Sequence, residues 1–592
     1  MITKIYKYIF ALCAICGFCS CADFLEIEPQ NEIILEKFWN EKADVDAIIA
    51  GCYSGMQEEG VIKRMMIWGE FRSDNVGPGR NVNQDGSLEK ILAENIDAKN
   101  SYTNWKDFYS VINRCNTVIK YAPGVAATDP AYTESELQAN IAEMVTLRSL
   151  CYFYLIRAFR DVPFSREAFI DDDQKMDLPA TPFNSVLDSL IYDLESVQNY
   201  AVKRHPEAKE MYQTGRITQD AIHSLLCELY LWKKDYETCI RYADMVIESK
   251  KLIAKENRQK RSNSYASDDA TERYNGFPLV TNSTSSGFFG DAYSTLFGRD
   301  RGNSDEVNQE IIFQLVYDDD PDANGMIANG AVNSFYGNSN ATIGLVAPPD
   351  VMLDDIDKTS GRHFFDDRNK KLDSRMYMNY DIEEKAINKF TTSSIDISVS
   401  GTTPEISYGS LYPQNQNGSN WIIYRLTDIM LLKAEALTQL CREGTDAEAN
   451  TYNKGILDQA FTLVNAVNKR ALCETQLVDT LRRNDYTDRY KMETLVLQER
   501  QRELMYEGKR WFDLVRYSQR KGNTDELSKW TMLKHQGGRG TTAAGMIANH
   551  LTKMDAIYWP YNNDEMKVNL NLVQNPAFGS GEDDSYQKTT KK

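Results

Sequence analysis

The chain contains few of the residues that usually build metal sites or catalytic centres. Its 592 residues include 5 histidines. None of them lies three to five positions from another histidine, which is the spacing typical of a pair of metal ligands. The nucleophile elbow, the P-loop and the HExxH zinc motif are missing from the sequence. The sequence therefore shows no apparatus for the common kinds of hydrolysis or phosphate chemistry.

Basic residues are scarce relative to acidic ones. Lys and Arg number 67 against 86 Asp and Glu, which gives a formal net charge of −19 at pH 7. A surface of this sign repels phosphate backbones and anionic lipid, so the composition argues against nucleic-acid binding.

Cysteines are few and scattered outside the first 21 residues. Four of the 11 belong to that segment, and several of the others lie inside apolar helical patterns. We interpret these others as small buried hydrophobic residues rather than as a disulfide framework. They are Cys52, Cys115, Cys151, Cys227, Cys239, Cys441 and Cys473.

The first residues have the layout of a secretory signal peptide. Lys4 and Lys7 form a basic start, an apolar run covers 8–19, and the small Ser20 precedes Cys21. This ending resembles the bacterial lipobox, so we predict a signal peptide over 1–20 and lipidation of Cys21. A plain signal peptide with soluble export is the alternative. No later apolar run reaches the length of a membrane span.

Helical periodicity dominates the rest of the chain and predicts a mostly α fold. We predict one domain over 21–592, with a helical scaffold at about 36–250 and 422–520. A loop-rich part with short strands is expected at 252–421, and an irregular segment at 522–556. The predicted helices are 36–57, 105–122, 134–159, 184–200, 217–231, 236–249, 424–440, 454–471 and 490–517, and the predicted strands are 311–317 and 395–400.

One helix pair has the small-residue spacing of a tetratricopeptide (TPR) repeat. Cys227, Cys239 and Ala243 stand at positions where two helices approach closely, and Lys233–Asp235 form the turn between them. A generic amphipathic hairpin would show some of this pattern too. The stacking of several such pairs would explain the remaining helical segments.

Several sequence blocks together resemble the SusD/RagB family. The segment 499–517 resembles the family's ER-x-x-EL-x-x-EG-x-R-x-x-DL-x-R-W helix, and 558–576 resembles its WPIP-x-x-E…QNP close, with Tyr561 in place of Ile. Further matches are 424–436, 465–471 and 147–163, where Arg160 replaces a Gly. The opening 23–25 and the segment 310–313 also fit, so the blocks are spread over nearly the whole chain after the signal peptide, from Cys21 to Phe578.

The resemblance implies a fold, a location and a function. SusD/RagB proteins are outer-membrane lipoproteins of Bacteroidetes, built on four TPR-like pairs with a loop-rich half packed against them. They work beside a SusC-type TonB-dependent barrel and bind oligosaccharides, or peptides in some members, without doing chemistry. We therefore expect a lipid-anchored protein of the outer cell surface that captures oligosaccharides or polysaccharides for such a transporter. The alternatives are a peptide-binding member, a helical glycoside hydrolase and a TPR scaffold for protein partners.

Sugar binding requires aromatic faces beside planar polar side chains. Two regions supply such mixtures outside the helical stripes, namely 68–75 and the loop-rich part, where the family places its ligand. For any single aromatic residue, a position in the core is the alternative. The candidate ligand-binding residues are Trp68, Arg72, Asp74, Asn75, Tyr274, Phe288, Phe289, Tyr293, Phe335 and Tyr336.

Two acidic groups suggest chemistry but have simpler interpretations. Glu499, Glu503 and Glu507 recur on one helix face, which favours structural ion pairs over the two opposed carboxylates of a glycosidase. No cofactor is expected, apart from a possible calcium ion at Asp320, Asp322 and Asn324. These three residues match the first positions of a calcium-binding loop, but the twelfth position of that loop is Ala331 rather than Glu. A solvated acidic turn is the alternative.

Overall fold

The computed structural model describes residues 38–171, 173–206, 211–260, 274–281, 288–298, 305–318, 327–353, 373–400, 403–444, 446–473, 481–534 and 540–579. Most of the regular structure in these ranges is helical, which confirms the predicted mostly α fold. None of the described helices combines the length and the apolar content that crossing a bilayer requires.

Helices occupy both ends of the described chain. In the first half they are α1 (Lys42–Gln57), α2 (Glu59–Met66), α3 (Gly86–Leu92), α4 (Lys106–Thr128), α5 (Glu134–Phe159), α6 (Phe183–Val197), α7 (Tyr212–Gly215), α8 (Gln219–Lys233), α9 (Tyr236–Lys260), α10 (Asp291–Phe297) and α11 (Asp305–Glu310). In the second half they are α12 (Gly330–Tyr336), α13 (Asp350–Leu353), α14 (Ser374–Asn379), α15 (Leu426–Gln439), α16 (Ala447–Ala471), α17 (Arg489–Leu504), α18 (Arg510–Lys521), α19 (Asp525–Leu533), α20 (Gly540–His550) and α21 (Asn563–Val568).

The strands are short and pair antiparallel wherever the structure describes them. They are β1 (Gly77–Pro78), β2 (Val162–Pro163), β3 (Ala180–Thr181), β4 (Phe288–Phe289), β5 (Ile311–Leu315), β6 (Val346–Ala347), β7 (Tyr380–Asp381), β8 (Ala386–Ile387), β9 (Ile395–Ser400), β10 (Thr403–Tyr408) and β11 (Trp421–Arg425). The pairs are β1–β6, β2–β3, β4–β9, β5–β11, β7–β8 and β9–β10. Both predicted strands are thus present, as β5 and β9.

The α8–α9 hairpin confirms the helix pair predicted from the small-residue spacing. The sulfur atoms of Cys227 and Cys239 are 3.6 Å apart, and both side chains are buried. Such small residues let the two helices approach closely. Lys234 ends α8 with a φ of 66°, and the N–H of Asp235 donates to the carbonyl of Tyr230. This is the Schellman termination, which a glycine more often makes.

Helices from both ends of the chain form one layer. The consecutive helices α4 and α5 pack against each other, as do α15 and α16, and α9 lies against α15. The strand pair β5–β11 connects the loop-rich part to this layer, because β11 runs directly into α15. The loop-rich part is thereby held against the helical scaffold.

The long helix predicted over 490–517 is in fact two helices. Tyr506 and Gly508 between them have φ values of 67° and 73°, which interrupt α-helical hydrogen bonding. The break fits closely against a π-helical turn at Ile67–Phe71, since a Cβ on Gly69 would lie 1.8 Å from the carbonyl oxygen of Gly508. Helical periodicity does not reveal such a break, because residues that the fold buries continue on both sides of it.

The segment 522–556, predicted to be irregular, contains α19 and α20. The many polar residues of this segment weaken its apolar periodicity, because α19 buries only a narrow face. Leu527 and Thr531 of α19 are buried, whereas most of the exposed positions carry charged or polar side chains. The prediction of an irregular segment was therefore wrong over most of this range.

A charge network lies buried between α17 and the loop-rich part. Ten side chains are linked by salt bridges of 2.6–3.3 Å and one shorter contact, and each is at most 8% exposed. Five carboxylates balance five cations, so the network is neutral as a whole. Its members are Glu310, Asp373, Arg375, Lys389, Arg425, Arg470, Glu499, Arg502, Glu503 and Glu507.

Candidate functional site

The segment 67–75 joins the first helices to the C-terminal block. The carboxylate of Glu70, which is fully buried, accepts hydrogen bonds of 3.0–3.2 Å from the backbone N–H groups of Tyr506, Lys509 and Arg510. Burial raises the pKa of Glu70, and the hydrogen bond from Asn75 and those from the three backbone groups oppose that rise. Glu70 thus fixes the break between α17 and α18.

Trp68 and Arg72, two predicted ligand-binding residues, are fully buried in this joint. Trp68 donates its indole N–H to the carbonyl of Tyr102 at 3.0 Å. The guanidinium of Arg72 pairs with Glu94 at 2.8 Å and lies 4.2 Å from the ring centroid of Trp511. Neither side chain offers a face to solvent, so their positions give no support to a role in ligand binding.

Asp74 and Asn75 are also occupied by protein partners. Asp74 forms a buried salt bridge of 2.8 Å with Arg510. The amide group of Asn75 donates to Glu70 at 2.6 Å and accepts from Gln501 at 2.9 Å. The mixture of aromatic and planar polar side chains over 68–75 therefore holds distant parts of the fold together, instead of forming the predicted ligand platform.

The aromatic residues predicted between 274 and 293 are buried as well. Tyr274, Phe289 and Tyr293 are at most 3% exposed. The hydroxyl of Tyr293 donates to Glu503 at 2.8 Å, and Arg470 lies 4.6 Å from its ring centroid, so this ring covers the charge network. These positions, too, are core positions rather than ligand-facing ones.

Some predictions fall outside what the structure describes. The side chain of Phe288 is not described, and the calcium loop of Asp320, Asp322 and Asn324 lies outside the described residues, as does the lipidation site Cys21. Lipidation and calcium binding therefore remain predictions from the sequence.

Phe335 and Tyr336 lie on α12 but point inward. Phe335 packs edge-to-face on Phe71 at a centroid distance of 5.0 Å, and Tyr336 donates its hydroxyl to the carbonyl of Tyr506 at 2.9 Å. Both side chains are fully buried. The two predicted ligand-binding residues thus belong to a helix that lies next to an exposed surface, but their side chains are on the buried face of that helix.

The residues that follow α12, together with 414–416, form an exposed surface rich in amides, here called the amide platform. The N–H groups of Asn340 and Ala341 donate to the side-chain oxygen of buried Asn338 at 2.9 and 3.2 Å, which fixes the turn. The amide nitrogen of Asn340 donates to Gln414 at 2.9 Å. The exposed members of the platform are Ser339, Asn340, Thr342, Gln414, Asn415 and Gln416.

Three glycines let the backbone segments beneath the platform approach closely. A Cβ on Gly79 would lie 2.3 Å from the carbonyl oxygen of Gly344, and a Cβ on Gly344 would lie 2.2 Å from that of Phe335. Gly337 has a φ of 122°, which L side chains rarely adopt. This close packing, together with the β1–β6 pair, gives the platform a rigid base.

The platform consists mainly of side-chain amides and hydroxyls, which can form hydrogen bonds. Each exposed amide both donates and accepts, which suits the hydroxyl groups of a sugar or the backbone of a peptide. Sequence reasoning passed over these residues because it searched for aromatic rings. The available signal was the amide-rich composition of 338–342 and 414–417 within the loop-rich part.

The three glutamates of the glycosidase alternative belong to the buried charge network. Glu503 contacts Arg375, Arg425 and Arg470. Burial alone would raise the pKa of Glu503, but Arg470, Arg425 and Arg375 outweigh it and hold that pKa well below its usual range. Because Glu499 and Glu507 are equally buried and paired, these carboxylates cannot flank a sugar. Their interpretation as structural ion pairs is confirmed.

Two family models match the chain over most of its length. The model described as SusD family matches residues 309–578, and the model described as starch-binding associating with outer membrane matches residues 23–231. Together with the helical scaffold and its loop-rich part, these matches define a carbohydrate-binding type of protein associated with the outer membrane. The chain belongs to the SusD/RagB family.

Known proteins with similar sequences and folds agree with this assignment. The SusD-like protein P38 of Formosa agariphila is 25% identical over 528 residues, which cover 84% of this chain and 88% of that protein. A SusD superfamily protein from Bacteroides thetaiotaomicron matches with a TM-score of 0.59 at 18% identity, over 91% of this chain and 99% of that one. A laminarin-binding SusD-like protein matches with a TM-score of 0.55 at 18% identity, over 91% and 100%. The structural matches show the shared fold.

Proposed function

We propose that this protein is a non-catalytic, lipid-anchored glycan-binding protein of the outer cell surface. It captures oligosaccharides and passes them to a SusC-like TonB-dependent transporter. Its membership of the SusD/RagB family carries this proposal. The lipobox-like sequence ending at Cys21 supports the lipid anchor, and the laminarin-binding relative supports a glycan as ligand.

The amide platform is the proposed contact surface for the glycan. Its side chains are exposed, they lie on a rigid base, and they can donate to and accept from neighbouring hydroxyls. Hydrogen bonds exchanged with water contribute little net free energy, so capture should be weak, with a binding free energy of about −4 to −8 kcal/mol. Weak binding suits a protein that must release its ligand to a transporter.

A double variant of the platform tests this role. Asn340→Ala with Gln414→Ala removes two neutral hydrogen-bonding groups, which should weaken glycan binding by about 1–3 kcal/mol, or roughly 5- to 150-fold. Gln459→Ala is the matched control, because Gln459 is an exposed amide on α16. Binding is measured by calorimetry of the exported chain against a panel of neutral glycans, beginning with laminarin oligosaccharides.

The panel also separates the proposal from its alternatives. Release of shorter sugars by the purified protein would establish an enzyme and contradict the proposal. Retention of peptides with indifference to every glycan would favour a peptide-binding member. Equal affinities of the double variant and the Gln459→Ala control would show that the platform does not contact the glycan.

A further inference from the structure

A pocket in the helical scaffold combines partly exposed aromatic rings with polar side chains, a combination that the predicted ligand-binding residues do not present to solvent. It has a volume of about 590 Å³ and lies where α1, α5, α7 and the end of β5 meet. This volume falls within the range of about 300–1,000 Å³ typical of small-molecule sites. None of its lining residues belongs to the amide platform.

A carboxylate and a guanidinium form the wall of this pocket. Glu143 accepts from the Nε of Arg216 at 2.8 Å and from a second guanidinium nitrogen in a bidentate pair. The hydroxyl of Tyr53 also donates to Glu143, and it accepts from the backbone N–H of Ile217 at 2.9 Å. The pair is thus locked in one orientation, and the guanidinium of Arg216 remains partly exposed.

Two aromatic rings flank the guanidinium. The centre of the Arg216 guanidinium lies 5.9 Å from the ring centroid of Tyr53 and 5.3 Å from that of Tyr212. Both tyrosines are half-buried, in contrast to the buried rings of the predicted site. Ring faces beside a fixed Arg–Glu pair are suited to the C–H face and the neighbouring hydroxyls of a sugar.

Two amides at this pocket have unused acceptors. Gln57 donates its amide nitrogen to the carbonyl of Val316, and Asn140 donates its own to the hydroxyl of Tyr132 at 3.0 Å. In the ranges covered by the structure, no protein group donates to the side-chain oxygen of either amide. Both oxygens are therefore available to hydroxyl groups of a ligand.

The charges at the pocket favour an uncharged ligand. Lys42 pairs with Asp46 at 2.6 Å, and Arg216 pairs with Glu143, so both cations are neutralised within the protein. Glu136 adds a further negative charge at the rim. A sulfated or carboxylated sugar would meet this unbalanced charge, whereas a neutral sugar would not.

We infer that this pocket is a second binding site for a neutral saccharide. The inference rests on the proposed function, because it assumes that the protein binds glycans. It adds a site in the helical scaffold, made by α1, α5 and α7, to the platform in the loop-rich part. A polysaccharide that contacts both sites would bind more tightly than a short oligosaccharide does.

The test compares variants of the pocket with a matched tyrosine control. Tyr212→Ala removes one ring and Asn140→Ala removes one acceptor, whereas Tyr192→Ala removes a ring that is 72% exposed on α6. The exported chain and each variant are titrated by calorimetry and by saturation-transfer NMR with neutral gluco-, manno-, xylo- and galacto-oligosaccharides. Thermal melting of each variant checks that it is folded.

The wild type is expected to bind a glycan of the panel at two sites. Tyr212→Ala and Asn140→Ala should each weaken one site by about fivefold or more and leave the other unchanged, and Tyr192→Ala should alter neither. If the Tyr212→Ala and Asn140→Ala variants are folded and bind the glycan as the wild type does, the second site is refuted and the proposed function is not affected. Failure of the wild type to bind any glycan would overturn the proposed function and, with it, this inference.

Discussion

Replacing Gly69 by alanine should destabilise the fold strongly, because no space exists for a Cβ at this position. The added atom would lie 1.8 Å from the carbonyl oxygen of Gly508 and 2.5 Å from its carbonyl carbon. Both neighbours are backbone atoms, so no side chain can rotate away. The clash would push the 505–509 turn from the π-helical turn and stretch the three backbone hydrogen bonds to Glu70.

The magnitude follows from two contributions. Overpacking a buried site costs about 1–3 kcal/mol, and each charge-assisted hydrogen bond lost adds about 1.5–3 kcal/mol. With one such bond lost, the free energy of unfolding should fall by about 2.5–6 kcal/mol. Urea unfolding followed by circular dichroism measures the midpoint shift.

A second glycine in the same half of the chain provides the control. Gly51 lies within α1, and no other heavy atom would contact a Cβ placed there. Gly51→Ala should therefore be neutral or stabilise the protein by up to about 1 kcal/mol. If Gly69→Ala unfolded at the same urea concentration as Gly51→Ala, the contact between Gly69 and Gly508 would not exist as described.

Two further predictions concern buried charges. Glu503→Gln leaves Arg425 and Arg470 with an unbalanced positive charge and should lower the free energy of unfolding by about 3–5 kcal/mol. The control Glu526→Gln, at an exposed ion pair, should change it by less than about 1 kcal/mol. Thermal melting compares the two variants. Burial lowers the pKa of Lys534 to about 8, so the unfolded chain binds more protons than the folded one above that pH. The contribution of Lys534 to stability should therefore rise from about pH 8 toward pH 10, a rise that Lys534→Met removes in urea unfolding at several pH values.

Opposite results would contradict the reasoning on these charges. The low pKa of Glu503 means that its stabilising contribution is present above the pKa of the unfolded chain and is lost as the pH falls through the folded value. Wild type and Glu503→Gln should thus become more alike in acid. A difference between them that grows on acidification, or identical pH profiles of wild type and Lys534→Met, would refute the assignments.

Local patterns predicted the helices because helix formation depends on neighbours three and four positions apart. The range Glu134–Phe159 was predicted to the residue, and the spacing of Cys227 and Cys239 identified a real helix pair. The same local rule indicated that Glu499 and Glu503 form structural ion pairs. It did not find the break at Tyr506, which depends on contacts with the distant segment 67–71.

The candidate site was predicted less well, because burial is decided by residues far away in the sequence. The segment 68–75 has the composition of a binding surface, yet Glu70 contacts Tyr506 and Arg72 contacts the carbonyl of Ile557. No pattern within 68–75 indicates that these partners will cover it. Conversely, Tyr53, Glu143 and Arg216 are isolated in the sequence and become one pocket only after folding.

The sequence by itself determined the family, the mostly helical scaffold and the prediction of a lipid-anchored, glycan-binding role. Motifs and periodicities are properties of neighbouring residues, so they can be recognised before the chain folds. Only the tertiary structure decided which polar and aromatic side chains face solvent. That choice depends on the packing of segments hundreds of residues apart, which placed 68–75 in the interior and left the amides after α12 exposed.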